Sequence, residues 1–232
     1  EIQGQVNGTT AKRSPGSALK PFLYALALDQ GIIHPLSLLK DTPMTFGNYD
    51  PENFDQSFRG PLAAEEALVS SRNIPAVYLD SKIKDPSFFD FLKNFGIKGL
   101  KPAKYYGLSL SLGGAEVTME ELMDLYAMLA KQGAKHQMRW LKEDLEKSEL
   151  ALISKEAAFV TLDMLTKNPR PEGQLLDAYL RKQFDVAWKT GTSFGYHDAW
   201  SVGVVGSYVV AVWLGNFNSE PNPAFVGREI AG

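Results

Sequence analysis

The chain has no cysteine, which excludes disulfides, thiolate metal ligands and a cysteine nucleophile. Its few histidines, His34, His136 and His197, lack the spacing of metal ligands, so neither a zinc site nor another cofactor is expected. The longest apolar run, near Pro21 to Leu28, is far shorter than the roughly 18 to 20 residues that a membrane span needs. What is present suits a globular protein, because 44% of the 232 residues are hydrophobic and suffice for a substantial core.

The chain also lacks a large excess of either sign of charge. The chain has 24 Lys and Arg against 27 Asp and Glu, and no basic run indicates a nucleic-acid partner. No signal-peptide pattern opens the chain at Glu1, and it stops at Gly232 directly after a strand-like stretch. We therefore expect the sequence to be a fragment of a longer protein.

Helical signals dominate the first two thirds of the chain. Residues 1–16 form a polar loop that leads into a helix at or just before Ser17, and its body, Phe22–Leu28, is apolar on every face and should be buried. Thr118 and Glu121 predict a capping box. Further predicted helices, which make the middle of the chain an all-helical lobe, are Pro61–Val69, Pro75–Lys82, Pro86–Phe95, Met119–Gln132 and, beyond it, Lys155–Thr166.

Strand signals follow a charged stretch, residues 134–150, which is expected to be an exposed connector. Phe184–Trp188 alternates weakly. Trp200–Val205 and Tyr208–Leu214 are rich in β-formers and are joined across Gly206 and Ser207, so they predict an antiparallel hairpin.

A serine that lies one helical turn before a lysine can use that lysine as its base. Ordinary composition gives about one such pair by chance in a chain of this size, and this chain has three. Ser17 and Lys20 stand out because Ser17 opens the buried helix, where first-turn N–H groups favour developing negative charge. Taken alone, however, Ser17 is also explained as a helix N-cap. The other two pairs, which lack this setting, are Ser37/Lys40 and Ser81/Lys84.

Two further motifs make coincidence a poor explanation. Ser71-Arg72-Asn73 lies between predicted helices, where a plain polar turn is the alternative. Lys189-Thr190-Gly191 lies on a predicted strand edge and arises by chance in about one such chain in twenty. Ser71 could relay a proton, and Asn73 could orient Lys20 or bind a substrate amide. Arg72 could face either the site or solvent.

The Lys-Thr-Gly stretch offers groups for an anionic peptide. Lys189 supplies a cation for a carboxylate and, if close to Lys20, would lower the pKa of that amine by repulsion. Gly191 leaves room for a peptide against the strand edge. Thr192 could give its N–H to an oxyanion and its hydroxyl to a carboxylate. Asp198 follows a histidine, but strand neighbours point to opposite faces, so a solvated turn is expected there instead of a dyad.

These motifs together resemble the class A penicillin-binding proteins, and Pro15–Asp29 most resembles their 1C branch. The resemblance runs from about residue 3 to residue 230. The stretches that carry it are Arg13–Phe22, Ser71–Ala76, Leu112–Thr118, Trp188–Ser193 and Asp198–Trp200.

The resemblance implies an α+β fold, the penicillin-binding protein/serine β-lactamase-like transpeptidase fold. A five-stranded antiparallel sheet flanked by helices would pack on an all-helical lobe, with the site in the cleft between them. Residues 1–232 would be one transpeptidase domain without its first strands and last helix. The full-length protein would carry a glycosyltransferase domain and an anchor that holds it on the periplasmic face of the bacterial inner membrane.

The resemblance also implies chemistry. Ser17 would be acylated by D-alanyl-D-alanine stem peptides of peptidoglycan or by β-lactams, with Lys20 as base, Ser71 passing the proton to the leaving amine and Asn73 positioning these groups. The second substrate would be the amine of another stem peptide. Two alternatives stay open: a D,D-carboxypeptidase or β-lactamase-like hydrolase, which uses water, and a binding module that captures ligands but turns over poorly.

The resemblance further implies that the backbone N–H groups of Ser17 and Thr192 form the oxyanion hole. The carboxylate of the peptide or β-lactam would be held by Lys189, Thr190 and Thr192, beside Gly191.

Overall fold

The computed structural model describes residues 6–136, 139, 141, 143–144, 149–169 and 185–232. Its α-helices are α1 Lys20–Asp29, α2 Ala64–Val69, α3 Asn73–Lys82, α4 Phe88–Phe95, α5 Ala103–Tyr106, α6 Met119–Ala130, α7 Lys155–Thr166 and α8 Gly227–Ile230. Its strands are β1 Leu38–Asp41, β2 Gly60–Ala63, β3 Ala134–Lys135, β4 Leu150–Ala151, β5 Val186–Thr192, β6 Asp198–Val205 and β7 Tyr208–Gly215. Two 3₁₀ segments are Gly16–Leu19 and Gly107–Leu112. None of the helices described is both long and apolar enough to cross a membrane.

Helix α1 is the centre of the helical part, as its apolar body predicts. Every residue from Lys20 to Ala27 is buried, and the helix packs against α2, α3 and α7. Pro21 lies in its first turn, where a missing N–H removes no helical bond. The ring of Phe22 meets that of Tyr126 edge-on at 5.1 Å. A helix that is buried all round fixes its first turn, and with it the preceding 3₁₀ segment.

The sheet β5-β6-β7 is antiparallel, and α7 packs on β5 while α6 packs on β6 and β7. The predicted hairpin is confirmed, with Val205 opposite Tyr208. The described residues contribute three strands to this sheet, against the five that the resemblance implies for the whole fold. The capping box of Thr118 and Glu121 and the bounds of α7 are also confirmed.

Some predicted bounds are wrong. Gly60–Ala63 is strand β2, paired with β1, so the helix predicted from Pro61 begins only at Ala64 and the lobe is not wholly helical. Helix α4 begins at Phe88, because Ser87 is its N-cap. About half of the predicted connector, and Phe184, lie outside the described residues.

Glycines let the 3₁₀ segment lie against the edge of β5. Gly16 has φ +51°, and a Cβ there would overlap the carbonyl oxygen of Thr192. On the β5 side of the contact, a Cβ on Gly191 would overlap the carbonyl oxygen of Pro15. Backbone therefore meets backbone at this contact, and only residues without a side chain permit the separation.

We expect Gly16→Ala to lower the free energy of unfolding by at least about 3 kcal/mol, because backbone must move apart. Gly31→Ala is a matched control, since Gly31 also has positive φ, +65°, but a Cβ there meets nothing within 4 Å. That variant should cost only about 1 kcal/mol. Urea denaturation of both variants checks this, and equal losses would contradict the role of the contact.

Candidate active site

Ser17 lies half-buried in the 3₁₀ segment that leads into α1. Within the described residues its hydroxyl has no hydrogen-bond partner, and its backbone N–H is a first-turn donor without an acceptor. Lys20 follows three residues later, on the same side of the helix start. A nucleophilic oxygen and an unpaired N–H are thus available at one point of the chain.

The amine of Lys20 is buried and held by the Ser71–Asn73 turn. Nζ donates to the carbonyl oxygen of Ser71 at 2.7 Å, to that of Arg72 at 3.1 Å and to Oδ1 of Asn73 at 2.6 Å. Nδ2 of Asn73 donates to the carbonyl oxygen of Glu52 at 2.7 Å, which fixes Oδ1 towards the lysine. The first two predicted motifs therefore meet.

Lys189 brings the third motif to the same turn. Its buried Nζ donates to Oγ of Ser71 at 2.9 Å and to the carbonyl oxygen of Thr190 at 3.0 Å. Ser71 thus contacts both lysines, one through its carbonyl and one through its hydroxyl. Its φ of +61° lies in the left-handed region, which is uncommon for a residue other than glycine.

Both lysines are electrostatically biased towards the free amine. Burial, then the charges of Lys189 and Arg72, hold the pKa of Lys20 well below its ordinary value, while Asp41 acts in the opposite direction. Burial, and to a lesser extent Arg228, lower the pKa of Lys189 to about 7. A buried cation loses hydration that its neutral form needs less, which is the physical cause of both shifts.

Among the described residues, no strand pairs with the outer edge of β5. The N–H of Ser193 donates to the carbonyl oxygen of Asp198 at 2.9 Å, so the neighbouring pair, Thr192 and Ala199, is of the non-hydrogen-bonded kind. The N–H and C=O of Thr192 therefore point away from β6, towards the 3₁₀ segment. The hydroxyl oxygen of Thr192 accepts from the N–H of Gly227 at 3.0 Å and keeps its own hydrogen for donation.

Sequence reasoning missed Asp41 and Asn53, and it left the direction of Arg72 open. Arg72 is buried and donates to Asp41 at 2.7 Å, so it faces neither solvent nor Ser17. No motif marks Asp41, because an aspartate at the end of a short strand looks like a turn residue.

Three smaller observations complete the surroundings. Asp198 is not in a solvated turn as predicted: it is buried on β6 and accepts from the indole of Trp213 at 2.9 Å. Phe54 contacts Tyr196 edge-on at 5.7 Å, which joins the β1–β2 loop to the turn after β5. In the described part of the chain, no cluster of three or more His, Asp or Glu side chains could hold a metal.

The chain is similar to known proteins over most of its length. The chain is 41% identical over 219 residues to penicillin-binding protein 1C of Escherichia coli K12, which covers 94% of the chain and 28% of that protein. It is 28% identical over 235 residues to penicillin-binding protein 1F of Bacillus subtilis 168, which covers 93% of the chain and 32% of that protein. The chain thus spans less than a third of the length of these relatives.

The fold is also found in a solved structure. The crystal structure of penicillin-binding protein 1A from Haemophilus influenzae matches with a TM-score of 0.79 over 98% of the chain and 42% of that protein, at 22% identity. This match confirms the α+β fold with its antiparallel sheet and helices. Residues 4–227 match the family described as penicillin binding protein transpeptidase domain. The chain therefore belongs to the penicillin-binding protein transpeptidase family, and the 1C branch fits it.

Proposed function

We propose that the chain is a serine D,D-transpeptidase of peptidoglycan synthesis that forms an acyl-enzyme at Ser17 and is acylated by β-lactams at the same oxygen. The observation that carries the proposal is the contact of two buried lysines of lowered pKa, Lys20 and Lys189, with Ser71, one helical turn along the chain from Ser17 in the case of Lys20. Membership of the family supports the same reaction class.

In the first step, Oγ of Ser17 attacks the carbonyl carbon of the penultimate D-alanine, and its proton passes to Lys20. A neutral amine has two hydrogens and a lone pair, so it leaves one of its three acceptors without a donor, and the lone pair is the group that would take this proton. The C–N bond to the terminal D-alanine breaks, and the leaving amine receives a proton through the hydroxyl of Ser71. Asn73 keeps Lys20 in place.

The charge that develops on the carbonyl oxygen needs donors. The backbone N–H groups of Ser17 and Thr192 suit this role, because neither is used inside a helix or the sheet. The terminal carboxylate, or that of a β-lactam, would be held by Lys189 and by the hydroxyls of Thr190 and Thr192. The peptide would lie along the free edge of β5. Gly191 does not leave it room as the sequence suggested, because the space that a Cβ would take there is filled by the carbonyl oxygen of Pro15.

In the second step, the amine of another stem peptide attacks the ester, the new amide forms, and Ser17 leaves with the proton that the amine loses. The description of the matched family as a transpeptidase domain favours this assignment over hydrolysis by water or slow capture without turnover. By the same analogy, the full-length protein would be held on the periplasmic face of the inner membrane and fused to a glycosyltransferase domain.

Incubation with a broad-spectrum β-lactam should add the mass of one intact ligand to the chain. Ser17→Ala should abolish the adduct because it removes the attacking oxygen. Ser37→Ala is the matched control: Ser37 has the same spacing to a lysine, but its hydroxyl accepts from the N–H of His34 at 2.9 Å in an exposed turn. Intact-mass spectrometry checks both. An adduct that survives Ser17→Ala, or none in the unmodified chain, would sink the proposal.

A pentapeptide ending in D-alanyl-D-alanine, supplied together with an amine acceptor, should give a cross-linked amide as the main product, because the acyl-enzyme is expected to be shielded from water. Liquid chromatography with mass detection separates this amide from the hydrolysed tetrapeptide. Tetrapeptide alone would identify a carboxypeptidase, and a persistent acyl adduct with neither product would identify a capture module.

The second-order rate constant of acylation should fall about tenfold per pH unit above about pH 7, where Lys189 loses its charge. Its pKa lies below the ordinary value, so the cation that binds the carboxylate exists on the acid side and disappears as the pH rises. Lys189→Arg should abolish this alkaline fall, since a guanidinium stays charged. Stopped-flow measurement of both proteins checks it, and an unchanged fall in the variant would assign it to another group.

A further inference from the structure

A buried ion pair lies directly behind the turn that holds Lys20. Asp41 is fully buried at the end of β1, and Arg72 is 4% exposed. Nε of Arg72 donates to Oδ2 of Asp41 at 2.7 Å, and Nη1 donates to Asp55 at 2.8 Å. Nη2 also donates to the carbonyl oxygen of Ser57. The residue between the two polar members of the Ser71–Asn73 motif is thus fixed to the β1–β2 loop by its whole guanidinium group.

Asn53 extends this pair to the start of α3. Its Nδ2 donates to Oδ1 of Asp41 at 2.6 Å, and its Oδ1 accepts from the backbone N–H of Asn73 at 2.8 Å. Arg72, at the N-cap position of α3, makes no capping bond with its own side chain. The amide oxygen of Asn53 therefore replaces it as the acceptor for the first helical N–H. Asp41 therefore holds the Ser71–Asn73 turn at two points, directly through the side chain of Arg72 and indirectly through Asn53.

The pair also bears on the charge of Lys20. Arg72 and Lys189, which face it from the turn before α3 and from β5, favour its neutral form, and Asp41 on β1 favours its charged form. No charged group of α2 or α7 in the described residues adds to these. Tyr24, one turn along α1, stays neutral because burial and Asp41 raise the pKa of its hydroxyl.

We propose that Asp41 and Arg72 are a positioning pair for the acylation of Ser17: they hold Ser71 and Asn73 against the amine of Lys20, and their opposed charges set how readily that amine accepts a proton. This inference rests on the function proposed above. Neither residue touches the reacting atoms. If the pair were only a structural link between the β1–β2 loop and α3, its loss would change stability but not the pH dependence of the reaction.

The test uses the whole chain and a fluorescent penicillin, with the second-order acylation rate measured between about pH 5 and pH 10. Lys20 must be a free amine, so its titration forms the acid limb. Asp41→Asn removes the charge that keeps Lys20 protonated, so the midpoint of this limb should move down by about one pH unit. Arg72→Gln removes a repelling charge, so the midpoint should move up by a similar amount.

Asp55→Asn is the matched control for Asp41→Asn, because it makes the same carboxylate-to-amide change beside the same arginine. Asp55 is half-exposed, and it is not among the groups that shift the pKa of Lys20. The midpoint of its acid limb should stay within about 0.2 pH units of that of the unmodified chain.

Arg72→Lys tests the positioning role alone, because it keeps the positive charge beside Asp41. For the same reason it should fold even if Asp41→Asn and Arg72→Gln do not. A lysine cannot bridge Asp41, Asp55 and Ser57 as the planar guanidinium does. The maximal acylation rate should fall about tenfold with the midpoint unmoved. Circular dichroism confirms the fold of each variant before its rate is measured.

Three results would overturn the pair's role: midpoints that move in the same direction in Asp41→Asn and Arg72→Gln, an equal shift in Asp55→Asn, or an unchanged rate in Arg72→Lys. These three results apply only if the unmodified chain is acylated and the Ser17→Ala variant is not. Failure of that baseline would instead remove the proposed function itself.

Discussion

The buried amine of Lys20, which has no carboxylate in direct contact within the described part of the chain, constrains the rest of this molecule. Lys20 is fully buried, and its three hydrogen-bond acceptors are two carbonyls and an amide. Burial without acceptors would cost several kcal/mol, so the Ser71–Asn73 turn has to lie over this amine. Carbonyl and amide oxygens satisfy its hydrogens but stabilise its charge less than a carboxylate does. The same arrangement that makes the fold possible therefore favours the free amine that a serine nucleophile needs.

The second constraint is distance. The oxygen of Ser17 and the edge of β5 come from opposite ends of the chain, and they meet because Gly16 and Gly191 allow backbone to lie against backbone. Near that contact lie the backbone N–H groups of Ser17 and Thr192, which within the described residues are used by neither a helix nor the sheet. Placing like charges at Lys20, Arg72 and Lys189 in one buried region is unfavourable for stability, and Asp41 offsets part of this cost. Such a balance is expected where a site is organised for chemistry instead of stability.

Much of the fold follows from local signals. The capping box at Thr118 and Glu121, the Ser154 cap of α7 and the hairpin across residues 206–207 depend on neighbours in sequence, and each appears where it was predicted. The wrong bound at Pro61 has a non-local cause, because Gly60–Ala63 becomes a strand by pairing with β1, about twenty residues away in sequence. A proline is a good helix start only when no such partner competes for the backbone.

The candidate site divides in the same way. The sequence by itself determined the family and the residue types of the three motifs, since Ser-x-x-Lys spacing, Ser-x-Asn and Lys-Thr-Gly are local patterns, and it put Ser17 ahead of Ser37 and Ser81 because only Ser17 opens a buried helix. Only the tertiary structure decided that Lys20 and Lys189 share Ser71, that Arg72 turns inward, and that Asp41 and Asn53 stand behind the turn. Those relations join residues far apart in the chain, and the field at a buried charge depends on distance and solvent exclusion, neither of which is encoded in the order of neighbouring residues.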